Sequence, residues 1–171
     1  MLWIGRVSYD EDTERWLGRS GHYLQNPPPG CLFAIGVRQC EPMLFDDLPV
    51  PTGPLLGLCL LGRPIARLLP QDGTWAEITR MVLAPGLPHG TASSVLCVAF
   101  DEAWRRGVKT VISYHDRTRH TGCIYRKAGM RKDGTTKPSK KGWGSRDRPN
   151  SDAVGATSKR RWRIDAPACG W

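Results

Sequence analysis

The fold of this chain is decided by residues 77–133, whose sequence is EITRMVLAPGLPHGTASSVLCVAFDEAWRRGVKTVISYHDRTRHTGCIYRKAGMRKD. An apolar run is followed by a Gly/Pro loop, a long helix, a second apolar run and a shorter helix that ends at Gly129. Residues 108–114 are rich in β-branched side chains and lie between Gly107 and a polar run, which predicts a buried strand. Glycine at position 129 suits the left-handed C-cap of a helix. The stretch therefore predicts an α/β fold.

The loop at residues 85–91 (PGLPHGT) predicts an anion-binding site. The first backbone N–H groups of a helix have no acceptor within the helix, so an anion is stabilised at that end. The glycines let the backbone approach a phosphate closely, and Thr91 or Ser93 is expected to cap the helix. A loop, helix, strand and helix in this order would serve any nucleotide-type ligand.

The segment TGCIYRKAGM (residues 121–130) resembles the N-x-x-A-x-x-x-Y-x-x-x-G-F helix of the GNAT acyltransferase superfamily. Tyr125 stands at the position of the acid, and Gly129-Met130 replaces Gly-Phe. The longer run ISYHDRTRHTGCIYRKAGMRKDGTTK is similar to the Mom-type branch, phage enzymes that acylate adenine in DNA. The segments HYLQNPPPGCLFAIGV, GRPIAR and EITR also occur in related GNAT-like proteins of phages and prophages. The resemblance covers residues 21–162 and implies a mixed, mostly antiparallel twisted sheet with splayed central strands and helices on both faces.

The resemblance also implies a donor, which is acetyl-coenzyme A or another acyl-coenzyme A. The pantetheine arm would hydrogen-bond the backbone at the end of the third predicted strand (residues 75–83), where a free N–H would polarise the thioester carbonyl. The pyrophosphate would lie at the loop, although this loop lacks the usual Gln/Arg-x-x-Gly-x-Gly/Ala form. The residues expected to bind the donor are Met81, Val82, Leu83, His89, Gly90, Thr91, Ala92 and Ser93.

Tyr125 is expected to protonate the departing thiolate, a role that suits a phenol. The alternative is that Tyr125 packs the helix against the sheet. The acceptor's proton needs a base, and the candidates at the end of the strand are Tyr114, His115, Asp116 and His120. Asp116 is the favoured residue, because its carboxylate would open onto the same cleft, although it would equally suit the cap of a turn.

His22 and Tyr23 precede a stiff Pro-Pro-Pro-Gly connector. A lone histidine is usually structural, whereas the resemblance to the Mom-type branch implies that this His-Tyr pair is functional. His22, His115 and His120 could instead bind a metal. No ligand spacing enforces such a site, so a metal is possible but not predicted.

Charged residues lie within the third predicted strand, at residues 75–83. Such residues are rarely unpaired when buried. One interpretation is an internal ion pair of Glu77 with Arg63 or Arg67. The other is that Glu77 and Arg80 bind substrate, and the sequence favours it no more than the ion pair.

The charge of the chain is unevenly distributed. Residues 1–116 carry 10 Lys/Arg against 12 Asp/Glu, a net charge of −2, and residues 117–171 carry 15 against 4, a net charge of +11. Clustered cations bind polyanions by releasing counterions from phosphates, which makes DNA an expected partner. A solubilising tail is the alternative. The basic extension at residues 137–171 is partly loop-like.

Aromatic rings among these cations can stack on bases. Trp143, Arg160 and Arg161 are therefore expected nucleic-acid contacts. Residues 159–164 also have the apolar spacing of a last strand, in which Trp162 would belong to the core.

The remaining features predict one cytoplasmic domain with no membrane segment. A first helix is expected at residues 12–20, capped by Asp12 or Thr13, and strands at residues 31–37 and 55–61. The six cysteines lack metal-ligand spacing and are expected to be buried thiols. The predicted function is acyl transfer from coenzyme A to an amine, with a DNA base as the favoured acceptor. The alternatives are a small-molecule or protein amine, and a non-catalytic nucleic-acid-binding module. The oligomeric state is left open.

Overall fold

The computed structural model describes residues 1–21, 28, 30–40, 51, 53–137 and 157–168. His22, Tyr23 and Trp143 lie outside these ranges, so their expected roles stay predictions. The elements in chain order are β1 (Leu2–Val7), α1 (Glu11–Arg19), β2 (Phe33–Gln39), β3 (Leu55–Gly62), β4 (Trp75–Leu83), α2 (Thr91–Arg105), β5 (Thr110–Asp116), α3 (Cys123–Lys127), β6 (Arg131–Thr135) and β7 (Lys159–Asp165).

The strands within the described ranges form one seven-stranded sheet in the order β1-β2-β3-β4-β5-β7-β6. Every neighbouring pair is antiparallel except β4 and β5, which run parallel. The expected mixed, mostly antiparallel sheet is therefore confirmed. The expected last strand is also confirmed, because β7 inserts between β5 and β6 and its Trp162 is 2% exposed.

The two faces of the sheet are covered by different helices. Side chains of α2 and α3 pack with Phe33 and Ile35 of β2 in the larger core cluster. Leu17 of α1 packs with Ala34 of the same strand in a smaller cluster on the opposite face. Burying a leucine such as Leu17 contributes about 1.5–3 kcal/mol, which fixes α1 on the sheet.

A β-bulge in β4 decides which face its later side chains occupy. Ile78 pairs with Leu61, but the next pair joins Arg80 to Leu60, so Thr79 is the extra residue. Its hydroxyl donates to the Leu60 carbonyl at 3.2 Å. Ile78 consequently faces α2, and Arg80 faces the side of α1.

The parallel pairing of β4 and β5 is short. It runs from Trp75 with Thr110 to Ile78 with Ser113, and the two strands diverge beyond that pair. The residues of β5 after Ser113 continue to pair with β7 on their other side. The expected splay of the central strands is thus confirmed.

The cap of α1 differs from the prediction. The helix begins at Glu11 and its N-cap is Asp10, whose carboxylate accepts from the Thr13 N–H at 3.0 Å. The Thr13 hydroxyl in turn accepts from the Asp10 N–H at 2.8 Å, which completes a capping box. Thr13 therefore takes part in the cap from inside the first turn, and Asp12 is a helical residue.

The described residues bear on the predictions about a membrane segment and about the cysteines. No helix among them combines the length and apolar character needed to cross a bilayer. Cys40 and Cys59 are buried as expected, and Cys31 and Cys123 are only partly buried. Cys97 is exposed, so the prediction of buried thiols is wrong for that residue.

Candidate functional site

The N-terminus of α2 is capped by the backbone of Gly90. Gly90 has φ +95°, a left-handed conformation that glycine adopts without a steric penalty. The expected cap by Thr91 or Ser93 is wrong, because no side chain caps the helix and the Thr91 hydroxyl donates back to the Pro88 carbonyl at 2.7 Å. In the described part of the chain, no backbone carbonyl accepts from the N–H groups of Ala92 and Ser93. These donors are suited to an anion.

The loop before α2 contacts the other helix on this face. Nε2 of His89 lies 2.9 Å from Nζ of Lys127, the last residue of α3, and both side chains are exposed. Lys127 was not predicted as a site residue, and its contact with a loop 38 positions earlier gives no signal in the sequence.

The last residues of β4 lead into this loop. Val82 is buried against α1, whereas Met81 and Leu83 are half-buried and pack against the core on the other face. A groove of about 280 Å³ runs between the end of β4 and the C-terminal turn of α1. Its walls include Trp16, Arg19, Leu83 and Pro85.

Tyr125 lies at the point where β4 and β5 diverge. Ser113, the β5 residue of the last pair, donates a hydrogen bond of 3.1 Å to the Tyr125 phenol oxygen. The phenol ring also stacks on His115 and Trp162, with centroids 5.8 and 5.6 Å away. The ring of Tyr125 therefore packs the helix on the sheet, as the alternative interpretation expected. Its hydroxyl lies beside Ser113, at the last pair of β4 and β5.

The imidazole of His115 is hydrogen-bonded to the indole of Trp162. The indole Nε1–H donates to Nδ1 of the imidazole at 2.6 Å, and His115 is 3% exposed. Burial lowers the pKa of His115, and the positive charge of Arg160 lowers it further. This histidine is therefore neutral and enclosed. Among the described residues, no three metal-binding side chains come together.

Asp116 makes the contacts of a turn cap. Its Oδ1 accepts from the N–H and the hydroxyl of Thr118 at 2.9 and 2.7 Å, and Oδ2 accepts from Thr157 at 2.9 Å. The hydrogen bond from the Thr118 hydroxyl is the main cause that lowers the pKa of Asp116. A carboxylate held in this way is a weak proton acceptor.

Tyr114 and Arg161 lie on the face of α1, whereas Arg160 lies on the face of α3. The register shows this, because Tyr114 pairs with Arg161 and the buried His115 pairs with Arg160. Nε of Arg161 lies 2.8 Å from Oδ2 of Asp133. Burial raises the pKa of Tyr114, and a hydrogen bond from Arg161 opposes the shift. Arg161 is thus held within the sheet.

Glu77 is buried on the face of α1, one residue before the point of divergence. Its Oε2 accepts from the Ile65 N–H at 2.8 Å. None of the ion pairs among the described residues includes Glu77, so the predicted ion pair with Arg63 or Arg67 is wrong. Burial raises the pKa of Glu77, and Lys159 and Arg80 act in the opposite direction.

Two cations flank this carboxyl. NH1 of Arg80 donates to the Thr79 carbonyl at 2.7 Å. Burial lowers the pKa of Lys159 on β7, while Asp116 and Glu77 raise it. Lys159 was not predicted as a site residue, because only the pairing of β7 with β5 brings it here.

Comparison with known proteins identifies the fold. No protein-family profile matches the chain, and no curated protein matches it in sequence. The ribosomal-protein-S18-alanine N-acetyltransferase from Escherichia coli superposes with a TM-score of 0.63 and 13% identity, covering 99% of this chain and 97% of that one. A Bacillus subtilis acetyltransferase in complex with CoA gives 0.59 and 15%, covering 98% and 100%. A GNAT family acetyltransferase from Elizabethkingia anophelis with acetyl-CoA bound gives 0.58 and 12%, covering 96% and 98%. The chain has the fold of these acetyltransferases.

Proposed function

We propose that this protein uses its acetyltransferase fold to transfer an acyl group from a coenzyme A thioester to an amine. The observation that carries the proposal is the divergence of β4 and β5 after the pair of Ile78 with Ser113. The hydroxyl of Tyr125 lies at the point of divergence. The loop that follows β4 leads to the N-terminus of α2, whose N-cap is Gly90. These parts match the needs of the reaction: an extended slot for the pantetheine arm, an acid for the thiolate and an anion site.

In this reaction the amine nitrogen attacks the thioester carbonyl carbon, a C–N bond forms, and the C–S bond breaks. The thiolate takes a proton from the Tyr125 hydroxyl, and the hydrogen bond from Ser113 stabilises the phenolate that results. The backbone of Met81–Leu83 is assigned to the pantetheine arm. His89 and the N–H groups of Ala92 and Ser93 are assigned to the pyrophosphate.

The proton of the amine is assigned to a group on the face of α1. Asp116 was the favoured base, but its hydrogen bonds lower its pKa and engage both of its oxygens. Glu77 fits the role better, because burial raises its pKa and it lies one residue from the divergence. Tyr114 and Arg80 lie on the same face and are assigned to the acceptor.

The acceptor that the charges favour is an amine carried by a polyanion, such as the exocyclic amine of a DNA base. Within residues 117–137 and 157–168, 11 Lys/Arg oppose 2 Asp/Glu. The exposed cations of this part are Arg117, Arg119, Arg126, Lys127, Arg131, Lys132 and Lys137. A base in duplex DNA would have to be flipped out to reach the site. Turnover without DNA would instead favour a small-molecule or protein amine.

The first experiment measures thermal unfolding with and without acetyl-coenzyme A. A ligand that binds only the native state raises the melting temperature, so a saturating donor is expected to raise it. Gly90→Val is expected to abolish this shift, because a side chain there would occupy the approach to the helix end. Gly73→Val is the matched control, since Gly73 has φ +89° and, like Gly90, no atom within 4 Å of an added Cβ. An unchanged melting curve for the wild type would leave the non-catalytic binding module as the function.

The second experiment identifies the acceptor. Mass spectrometry of nucleosides from the DNA of cells that express the protein is expected to detect an acylated base. Tyr125→Phe in the same cells is the control and is expected to reduce the product strongly. If the DNA is unmodified but the protein acylates a small molecule or a protein in vitro, the acceptor is not DNA. The proposal of an acyltransferase would then still hold.

A further inference from the structure

The loop between β3 and β4 exposes apolar side chains to solvent. Leu68 is 100% exposed and Ile65 is 48% exposed. Single apolar residues are ordinary on a protein surface, whereas grouped ones mark interaction sites. Here the two exposed residues lie three positions apart on one short loop, and the half-buried Leu69 follows them. Ile65, Leu68 and Leu69 together form an apolar tip.

Hydrogen bonds within the loop hold this apolar tip in a defined turn. The Leu69 N–H donates to the Ala66 carbonyl at 3.0 Å, which places Arg67 and Leu68 at the centre of the turn. Nε2 of Gln71 donates to the carbonyls of Ala66 and Leu69 at 3.4 and 3.1 Å. A side chain that an ordered turn presents loses little further freedom when it enters a partner. The exposure of Leu68 is therefore suited to binding.

The apolar tip is joined to the proposed acceptor site. The Ile65 N–H donates to Oε2 of Glu77, the proposed base, at 2.8 Å. Leu68 follows Ile65 by three residues, which span at most about 11 Å of chain. Leu68 therefore lies close to the place where the acceptor amine would react.

The charges of the loop indicate the kind of partner. Residues 63–71 (RPIARLLPQ) include two exposed arginines, Arg63 and Arg67, and no carboxylate. None of the ion pairs found in the described ranges includes either arginine. An apolar tip beside cations fits a molecule with anionic groups outside and an apolar interior. Duplex DNA has this chemistry, because its phosphates surround stacked bases, and proteins insert leucine and isoleucine between base steps.

We propose that Leu68 is a wedge that enters duplex DNA and occupies the space left when a base is flipped into the acceptor site. The proposal rests on the proposed function with a DNA base as the acceptor, and it assigns the loop between β3 and β4 to that partner. Flipping a base costs free energy because its stacking is lost. Contacts of the Leu68 side chain with the neighbouring bases offset part of this cost, and Arg63 and Arg67 bind the phosphates beside the gap.

The test compares the affinities of the full-length protein for duplex DNA and for one strand of that duplex. Leu68→Ala is expected to weaken duplex binding about tenfold, because the contact of the leucine with the bases is lost. Its affinity for the single strand is expected to stay within about twofold of the wild type, because there is no base pair to open. Leu68→Phe supplies another wedge and is expected to bind the duplex within about threefold of the wild type.

Leu32→Ala is the matched control for these measurements. Leu32 is 41% exposed and precedes β2, on the other side of β3 from Glu77. This variant is expected to bind both forms of DNA as the wild type does. Leu68→Ala is also expected to melt at the wild-type temperature, since a fully exposed side chain has no packing to lose.

The failures of the wedge and of the proposed function are distinct. Equal duplex affinities of the wild type and Leu68→Ala overturn the wedge alone, and so do equal losses for the duplex and the single strand. A wild type that binds no DNA overturns both the wedge and DNA as the acceptor, whereas the acyltransferase is judged by the binding of acetyl-coenzyme A. Binding to vesicles of phosphatidylcholine and phosphatidylserine that requires Leu68, with no effect on DNA, would overturn the wedge and assign the loop to a membrane surface.

Discussion

The indole of Trp162 donates its Nε1–H to Nδ1 of His115 at 2.6 Å, across 47 positions of the sequence. The bond lies between neighbouring strands of the sheet, under the N-terminus of α3, and the ring of Tyr125 stacks on both partners. It fixes the imidazole in the tautomer that carries its proton on Nε2. The proposed acid Tyr125 is thus supported from below by a polar pair with almost no access to water.

The pH dependence of stability should report this pair. Burial lowers the pKa of His115 below its ordinary value of 6.5, and Arg160, His120 and Arg117 lower it further, while Asp116 acts in the opposite direction. A lowered pKa means that the unfolded chain binds the proton more tightly. The contribution to stability is therefore complete above pH 6.5 and is lost as the pH falls from there through the folded-state pKa.

We expect the free energy of unfolding to fall between pH 7 and pH 5 by up to about 1.4 kcal/mol per pH unit from this group. Urea titrations at several pH values measure it. His115→Asn is expected to flatten the profile, because asparagine can still accept from the indole but does not titrate. His120→Asn, at an exposed position, should keep most of the slope, because it removes only one of the influences that lower the pKa of His115. Parallel profiles for the wild type and His115→Asn would contradict the argument.

Two glycines of α3 offer a matched comparison. Gly122, the N-cap, has φ +75°, and an added Cβ would lie 2.7 Å from both His115 Cε1 and Trp162 Cζ2. Gly129 has φ +83°, and its nearest atom would be Ile164 Cδ1 at 3.8 Å. Both alanine variants incur backbone strain, but only Gly122→Ala also clashes with the rings.

Gly129→Ala is accordingly expected to cost about 1–2 kcal/mol, and Gly122→Ala about 1–3 kcal/mol more. Chemical denaturation of the two variants measures the difference. Equal losses would mean that α3 moves away from the aromatic rings at little cost.

Replacing the proposed acid should separate chemistry from binding. Tyr125→Phe keeps the ring that packs on His115 and Trp162 and removes the hydroxyl. We expect turnover to fall about 10²–10⁴-fold while the dissociation constant of coenzyme A stays within about twofold. Steady-state kinetics and donor titration measure the two quantities. A variant that loses stability and turnover together, with no separate effect on catalysis, would assign Tyr125 to the core alone.

The salt dependence of DNA binding tests the proposed partner. If the basic C-terminal third contacts phosphates, the logarithm of the affinity should fall steeply with the logarithm of the salt concentration. Arg160→Glu is expected to reduce the slope by about one unit for each phosphate that the arginine neutralises. Arg161 is a poorer site for this test, because its ion pair with Asp133 supports the sheet.

Arg6→Glu is the control for this measurement, because it makes the same charge change at an exposed site outside the basic third. It should leave the slope unchanged. No binding to single- or double-stranded DNA at low salt would make the basic third a solubility feature.

The elements with strong local patterns were predictable. Strand β4 occurs at the predicted residues, and α2 starts directly after the predicted Gly/Pro loop. The edge strands were missed for a physical reason. β6 has the sequence RKDGT, is mostly exposed and is a strand only because it pairs with β7. β1 is half-buried and, among the described strands, pairs with β2 alone, so its sequence lacks clear alternation.

The site was predictable only in part, because its contacts span long stretches of chain. The position of Tyr125 follows from a local motif, but its hydrogen bond from Ser113 and its contact with Trp162 require the finished sheet. His115 was a candidate base or metal ligand in sequence terms. Its partner Trp162 lies on the predicted last strand, but no local pattern indicates that this strand inserts between β5 and β6.

That insertion has a consequence for how the protein is made on the ribosome. β6 emerges before β7, which is its only neighbour among the described strands and is completed only when residues 159–165 are synthesised. At ordinary translation rates the interval between the two strands lasts about a few seconds. During this interval the edge of β5 that later pairs with β7 is exposed, and chaperones or another nascent chain can bind it. A polypeptide truncated before Lys159 lacks β7 and would keep this edge of β5 exposed. We therefore expect such a truncated chain to be degraded in the cell.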